Sequence, residues 1–404
     1  VSQLKFGIIG LGQRGLSYGH LLTNGLSGYG RVMALADINE KRMNGAARLL
    51  GLDNMALYSN YHDLLADPTI DAVIVTTPDC THETVATDAL RAGKHVLCEK
   101  PLATTVEGCY KIMAAQKPGQ VLQIGFVLRY NRVYENAYEI IARGDIGNVK
   151  QIIATDNRRG ADYFRRWHRF REKSGGLFNH KSTHTLDIVN WYAGAKPVSI
   201  SAMGGLSVYL PGKWQGERCL TCETKEQCPE YLDLREEPYR SLYLLAETAD
   251  GYIRDTCTFT SEKTTIDHGH ALIEYDNDVK ASYNLSLFAP IDTRQMMIFG
   301  DRGKLELDEA QRRITVRPHY SQDVIEYSVA KDAGGHGGGD TGLLREFIAC
   351  MKQGEQPLAG AVEGAWSCLV SLAAEQSVDE KRPITIAEML QAAGVSDGFP
   401  DKVD

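Results

Sequence analysis

The segment Lys5 to Gly15, K-F-G-I-I-G-L-G-Q-R-G, constrains this chain more than any other stretch. A charge-free apolar run, Phe6 to Ile9, stops in three glycines spaced G-x-G-x-x-G. Such a run reads as a strand buried on both faces of a parallel sheet. Gly10 is then the turn residue, Gly12 leaves the backbone bare where a pyrophosphate must approach, and Gly15 lets the next helix lie close on the strand. The N–H groups that open that helix, around Gln13 and Arg14, face the phosphates. Glycine-rich turns share this spacing, so the context decides. Arg31 to Ile38 (R-V-M-A-L-A-D-I) reads as a second buried strand ending in Asp37, whose carboxylate would accept hydrogen bonds from an adenosine ribose. Motif and context together point to a dinucleotide cradle. The charge of Asp37 repels a 2′-phosphate, so NAD is expected over NADP; Lys41 and Arg42, close in sequence, pull the other way.

Strand and helix signals alternate from there. Asn39 to Leu50 reads as a helix, Asp71 to Thr77 as a strand, Thr81 to Ala92 as a helix closed by Gly93, and Lys94 to Cys98 and Val121 to Val127 as strands. This is the βαβ pattern of a doubly wound parallel sheet, an α/β Rossmann domain over residues 1–125. After a helix at Tyr134 to Arg143, strands dominate: Val149 to Asp156, Val198 to Val208, Asp255 to Thr260, His270 to Tyr275, Lys280 to Phe288, Met296 to Phe299 and Lys304 to Leu307. Residues 126–404 are therefore expected to form an α+β domain on a large, mostly antiparallel sheet. Helices are expected at Gly176 to Tyr192, Asp340 to Lys352 and Val362 to Asp379, the last two able to return to the first domain.

Two domains suit 404 residues, and 24% charged with 43% hydrophobic residues is the balance of a soluble globular chain. A net charge of −8 argues against a nucleic-acid partner. No apolar run approaches the roughly 20 residues of a membrane helix, and the first strand begins almost at once, so neither a membrane partner nor a signal peptide is expected. Of nine cysteines, Cys98, Cys109, Cys350 and Cys368 lie in apolar settings, which suits a reducing, cytoplasmic compartment.

Three groups of residues could carry chemistry. Glu99-Lys100-Pro101 closes the strand at Lys94 to Cys98, on the edge where ligands of open α/β sheets gather. A Lys100 ammonium there could stabilise the alkoxide formed as hydride leaves a carbinol carbon; a solvated surface lysine is the plain alternative. His180 and His184, one turn apart in G-G-L-F-N-H-K-S-T-H, stand at a spacing that suits a metal, proton transfer, or one packed and one solvated ring. Arg158, Arg159, Arg165, Arg166, Arg169 and Arg171, interleaved with Tyr163, Phe164, Trp167 and Phe170, form either a solvated basic loop or an anion site for pyrophosphate or substrate. In the flexible Gly334 to Asp340 segment, Asp340 is a natural N-cap and His336 either a lid or a loop residue.

With the glycine motif, Asp37, Thr76-Thr77-Pro78 followed by His82, Glu99-Lys100-Pro101, and Gly175-Gly176 leading to His184, the chain resembles the Gfo/Idh/MocA oxidoreductases. The resemblance covers nearly the whole length. It implies a Rossmann domain followed by an α+β domain whose open sheet serves oligomerisation, as a homodimer or homotetramer. It also implies NAD held by the glycine loop, Asp37, Thr76, Thr77, Pro78, His82, Glu99 and Lys100, with Lys100 as the active-site lysine and His184 as the catalytic histidine. Where the family often has Asp four residues before that histidine, this chain has His180 followed by Lys181, so His180 and Lys181 enter as a possible different acid/base set. The expected activity is oxidation of a secondary alcohol of a sugar, cyclitol or related polyol. A glycosidase that oxidises a ring carbon transiently and eliminates a substituent is the enzymatic alternative, and a cofactor-binding regulator without turnover the non-enzymatic one.

A loop without a family counterpart, R-C-L-T-C-E-T-K-E-Q-C-P, places Cys219, Cys222 and Cys228 in a polar setting. C-x2-C is a half-site for structural zinc, with a fourth ligand not evident; reduced thiols or a Cys-Cys bridge are the alternatives.

Overall fold

The computed structural model describes residues 3–52, 55–212, 214–330, 334–395 and 398–399. Six strands, β1 (Leu4–Ile9), β2 (Gly30–Ala36), β3 (Ala56–Tyr58), β4 (Ala72–Val75), β5 (His95–Cys98) and β6 (Leu122–Ile124), make one sheet. Its order is β3-β2-β1-β4-β5-β6 and every pairing is parallel. The order reverses between β1 and β4, which opens a crevice at their carboxyl ends. Phe6, Ile8, Val73, Ile74, Val96 and Leu97 are fully buried, as a sheet covered on both faces requires.

The second sheet has nine strands: β7 (Val149–Arg159), β8 (Pro197–Gly205), β9 (His268–Tyr275), β10 (Lys280–Ser286), β11 (Phe288–Gly300), β12 (Gly303–Asp308), β13 (Arg313–Pro318), β14 (Ile325–Ser328) and β15 (Ile384–Thr385). They run β14-β13-β12-β11-β7-β10-β9-β8-β15, antiparallel except where β10 lies parallel to β7. The doubly wound sheet followed by a mostly antiparallel one is the expected fold class.

Several local expectations need correction. Asp255 to Thr260 is not a strand: it forms one isolated bridge, Arg218 to Thr256, and Asp255 spends its carboxylate on the Leu220 N–H and the Arg218 guanidinium. Asp340 does not cap its helix. The N-cap of Gly339–Gln353 is Gly338, with φ of 93°, and Asp340 instead pairs with Arg14 and His336. β3, β13, β14 and the helix Val106–Ala115 were not anticipated.

Two helices late in the chain join the halves. Phe347 of Gly339–Gln353 sets its ring 6.2 Å from that of Phe6 on β1. Ala361–Glu380 reaches Ala103 through Cys368, Thr183 through Ser367, and β8 through Ser377.

Candidate active site

The glycine loop takes the form its spacing implies. Gly10 has φ of 92°, a left-handed conformation that a side chain would strain. A Cβ on Gly15 would lie 2.2 Å from the Gly10 carbonyl oxygen, so only glycine brings the helix Gln13–His20 this close. At the end of β2, Asp37 accepts the N–H groups of Leu11 (2.7 Å) and Asn39 (2.8 Å) and a guanidinium N–H of Arg42 (3.1 Å). The left-handed turn, the bare Gly12 and the helix N-terminus fit the pyrophosphate of a dinucleotide.

Arg14 lines the cleft beside that cradle. Its guanidinium pairs with Glu99 and, at 2.8 Å, with Asp340, and donates to Tyr18. Burial would raise the Glu99 carboxyl, but Arg14 and Lys100 outweigh it and hold it below its ordinary range. His82 is buried, with Nδ1 2.7 Å from the Pro101 oxygen and Nε2 3.0 Å from that of Thr77, so it ties the loop after β4 to the loop after β5. Thr76 bonds the carbonyl of Gly10, and Thr77 accepts from Thr81 at 2.8 Å. Pro78 caps the short turn Asp79–Thr81 that leads to His82.

Lys100, next to a cis peptide bond at Pro101, donates from Nζ to the His180 carbonyl at 2.7 Å. That carbonyl is available because Phe178–Ser182 forms a π turn ahead of the α-helix Thr183–Ala193. The wide turn also separates the two histidines that simple helical spacing puts on one face. His180 Nδ1 meets Asp79 Oδ2 at 2.6 Å and its ring stacks on His168, centroids 3.8 Å apart. The His184 ring faces His336 at 6.1 Å, and its Nδ1 is buried without a partner among the described residues. Burial, then Lys100 and other cations, push both rings well below the ordinary histidine range, so each is a neutral imidazole at neutral pH. Asp79 is raised, chiefly by burial. Lys181 is spent on Asp156, at 2.9 Å. Asp156 is held well below the carboxylate range: burial opposes this, but Arg294, Lys181 and Arg158 outweigh it.

These groups open on one cleft of about 620 Å³, lined among others by Thr76, Thr77, Asp79, Glu99, Lys100, His180, Lys181, His184 and His336. Of the six arginines singled out, Arg158 and Arg166 line it. Arg165 goes to the Glu230 carbonyl, Arg169 to that of Glu262, and Arg171 to Asp379. Arg159 uses its backbone N–H on Asp292. Asp79, Asp156, His168, Arg294 and Arg312 were not anticipated. Asp79 had a signal, as a carboxylate directly after Thr-Thr-Pro at a strand end; Arg294 and Arg312 sit in strands and turns with no local mark.

The structural-zinc expectation for Cys219, Cys222 and Cys228 is not supported. All nine cysteines are free, and among the described residues no group of three or more His, Cys, Asp or Glu is placed to hold a metal ion. The three line a small cavity with Cys257, and Cys222 pairs with Thr224 at 3.3 Å.

Two family models match the sequence. One, described as oxidoreductase family, NAD-binding Rossmann fold, covers residues 4–126; the other, oxidoreductase family, C-terminal alpha/beta domain, covers 138–386. YteT of Bacillus subtilis (strain 168), designated an oxidoreductase, is 33% identical over 362 residues, 80% of this chain and 83% of its own. Inositol 2-dehydrogenase 1 of Saccharopolyspora erythraea is 32% identical over 200 residues, 49% of this chain and 57% of its own, so that match spans about half of each. A levoglucosan dehydrogenase solved with NADH superposes with a TM-score of 0.74 over 95% of this chain and 99% of its own; at 17% identity this is a likeness of fold. No helix among the described residues is long and apolar enough to cross a membrane.

Proposed function

Because the chain belongs to the Gfo/Idh/MocA oxidoreductases, we propose that it oxidises a secondary alcohol of a sugar, cyclitol or related polyol with NAD. The observation that carries this is the convergence of Lys100, His184 and the end of the glycine crevice on one cleft. We take residues 1–125 as the dinucleotide domain and 126–404 as the substrate domain. Gly10, Gly12, Gln13 and Gly15 would hold the pyrophosphate and Asp37 the ribose, while Thr76, Thr77 and Pro78 would flank the nicotinamide end. Arg14, Glu99 and His82 act as braces of that crevice. When bound, the nicotinamide supplies the hydride acceptor.

The chain's own residues do the rest. The Lys100 ammonium, held on the His180 carbonyl, stabilises negative charge developing on the substrate oxygen. Neutral His184 takes the hydroxyl proton. The Asp79–His180 pair fixes the turn whose carbonyl holds Lys100 and which leads into His184, and Lys181 ties that turn to β7, the middle strand of the second sheet, through Asp156. The buried Asp79–His180 pair, in the same cleft as Lys100 and His184, also supports the alternative of transient oxidation with elimination of a ring substituent.

The test is incubation with NAD and a panel of polyols and glycosides. Net NADH with an oxidised product supports the dehydrogenase. Cleavage of a glycoside without net NADH favours the alternative, and NAD binding without any turnover favours a regulator. Val198, Met203 and Leu272, exposed on β8 and β9, support a homo-oligomer formed through the open sheet, and the free thiols support a reducing, cytoplasmic setting.

A further inference from the structure

Residues 206–267 connect β8 to β9, neighbours that a short turn could join. Instead the connection crosses to the first sheet and docks on the helix Glu40–Leu49, just past Asp37. Arg42 donates to the Leu242 carbonyl at 3.1 Å and pairs with Asp250 at 2.6 Å; Asn39 donates to the Ala246 carbonyl at 3.0 Å. Gly45 permits the close approach, since a Cβ there would lie 2.8 Å from the Ser241 carbonyl oxygen. Leu242 is fully buried against this face.

The docked segment delivers Tyr243 onto the glycine loop. Its hydroxyl accepts the Gln13 N–H at 3.1 Å, one of the donors that the motif aims at a phosphate, and lies 3.3 Å from where a Cβ on Gly12 would stand. The hydroxyl's own proton has no acceptor among the described residues. Arg166 stands near the same tyrosine and lines the cleft. Its nearest carboxylate, Asp162 at 3.6 Å, is already taken by Arg254 at 2.7 and 2.9 Å, and the Arg166 side chain makes no hydrogen bond among the described residues. A hydroxyl at the glycine loop and a guanidinium on the cleft wall thus keep donors to spare.

We propose that the 206–267 connection is a clasp over the dinucleotide, in which its Tyr243 hydroxyl, joined by the Arg166 guanidinium from the loop after β7, donates to the pyrophosphate. A phosphate oxygen takes over the Gln13 N–H, and the tyrosine changes from acceptor to donor. The inference rests on the dinucleotide reading above, and it assigns to a segment outside the nucleotide-binding sheet a share of cofactor affinity that the glycine motif does not supply.

Tyr243→Phe removes the donor and keeps the ring, and Arg166→Gln removes the other donor independently. The measurement is binding of NADH and of ADP-ribose to the full chain, by calorimetry and by stopped-flow fluorescence for NADH. Each variant should weaken both ligands by about tenfold, the size of one hydrogen bond to a charged group, with NADH leaving faster. Affinities for both ligands within twofold of the parent, tighter binding, or a loss for NADH that ADP-ribose does not share would overturn the clasp. If the parent itself binds neither ligand, the dinucleotide reading falls and the clasp with it.

Discussion

The glycine crevice and the cleft beside it meet within one site but are built by opposite means. The crevice is made of backbone from one short segment: Gly10 supplies the left-handed turn, Gly15 the close approach, and Gln13 a donor, all inside six residues. The cleft is made of side chains from loops after β4 and β5, a π turn, and the strands β7 and β11. In the crevice each position is fixed by local sterics. In the cleft the protonation of His180 and His184 is set by burial and by lysines and arginines distant in sequence. A backbone site thus tolerates few residues but announces itself, whereas a side-chain site depends on partners that only the fold brings together.

If that contrast is right, substitutions in the two regions should fail differently. The largest effect is expected in the cleft. His184→Gln should lower turnover by about a hundredfold or more while NADH affinity stays near that of the parent. Because burial and nearby cations depress His184, it remains a neutral base as pH falls through the ordinary histidine range near 6.5, so the parent's rate should persist below that pH. A rate already halved at about pH 6.5, or a variant within about threefold of the parent, would break the assignment.

In the crevice, Gly15→Ala should act on binding first. Its methyl would stand 2.2 Å from the Gly10 oxygen, so the loop must shift. NADH affinity should drop by about tenfold, with about 1–3 kcal/mol of stability lost to overpacking, read by titration and urea unfolding. Unchanged affinity would mean that the loop does not hold the phosphates. The smallest effect concerns cofactor choice. The parent should bind NAD more tightly than NADP, and Asp37→Ala should narrow the gap by a few-fold, since it removes a negative charge and releases Arg42, now 3.1 Å away, toward a 2′-phosphate. Equal affinities in the parent would refute this.

The same contrast explains what could be read in advance. The parallel sheet was legible because each buried strand is a continuous apolar run between turn residues, as at Phe6 to Ile9. β3 escaped notice because it is only three residues, Ala56–Tyr58, half-buried at the sheet edge. In the second half, β13 carries charge at both ends and β14 is mostly exposed, which hides them, while Asp255 to Thr260 has strand-like composition but its carboxylate is drawn into local bonds. Lys100 and His184 stood out by motif. Asp79 is marked by following Thr-Thr-Pro at a strand end, but its role is not, because the histidine it faces, His180, lies 101 positions away. Nor could spacing reveal the π turn that points His180 and His184 at different neighbours.

The central claim, that Lys100 acts on charge appearing only as the substrate reacts, is tested most directly by Lys100→Met. NAD affinity from fluorescence quenching should be nearly unchanged, while single-turnover hydride transfer falls by about two orders of magnitude or more. Turnover within about threefold of the parent, under about 1 kcal/mol of transition-state stabilisation, would contradict the account, as would a loss of NAD affinity in proportion to the lost rate.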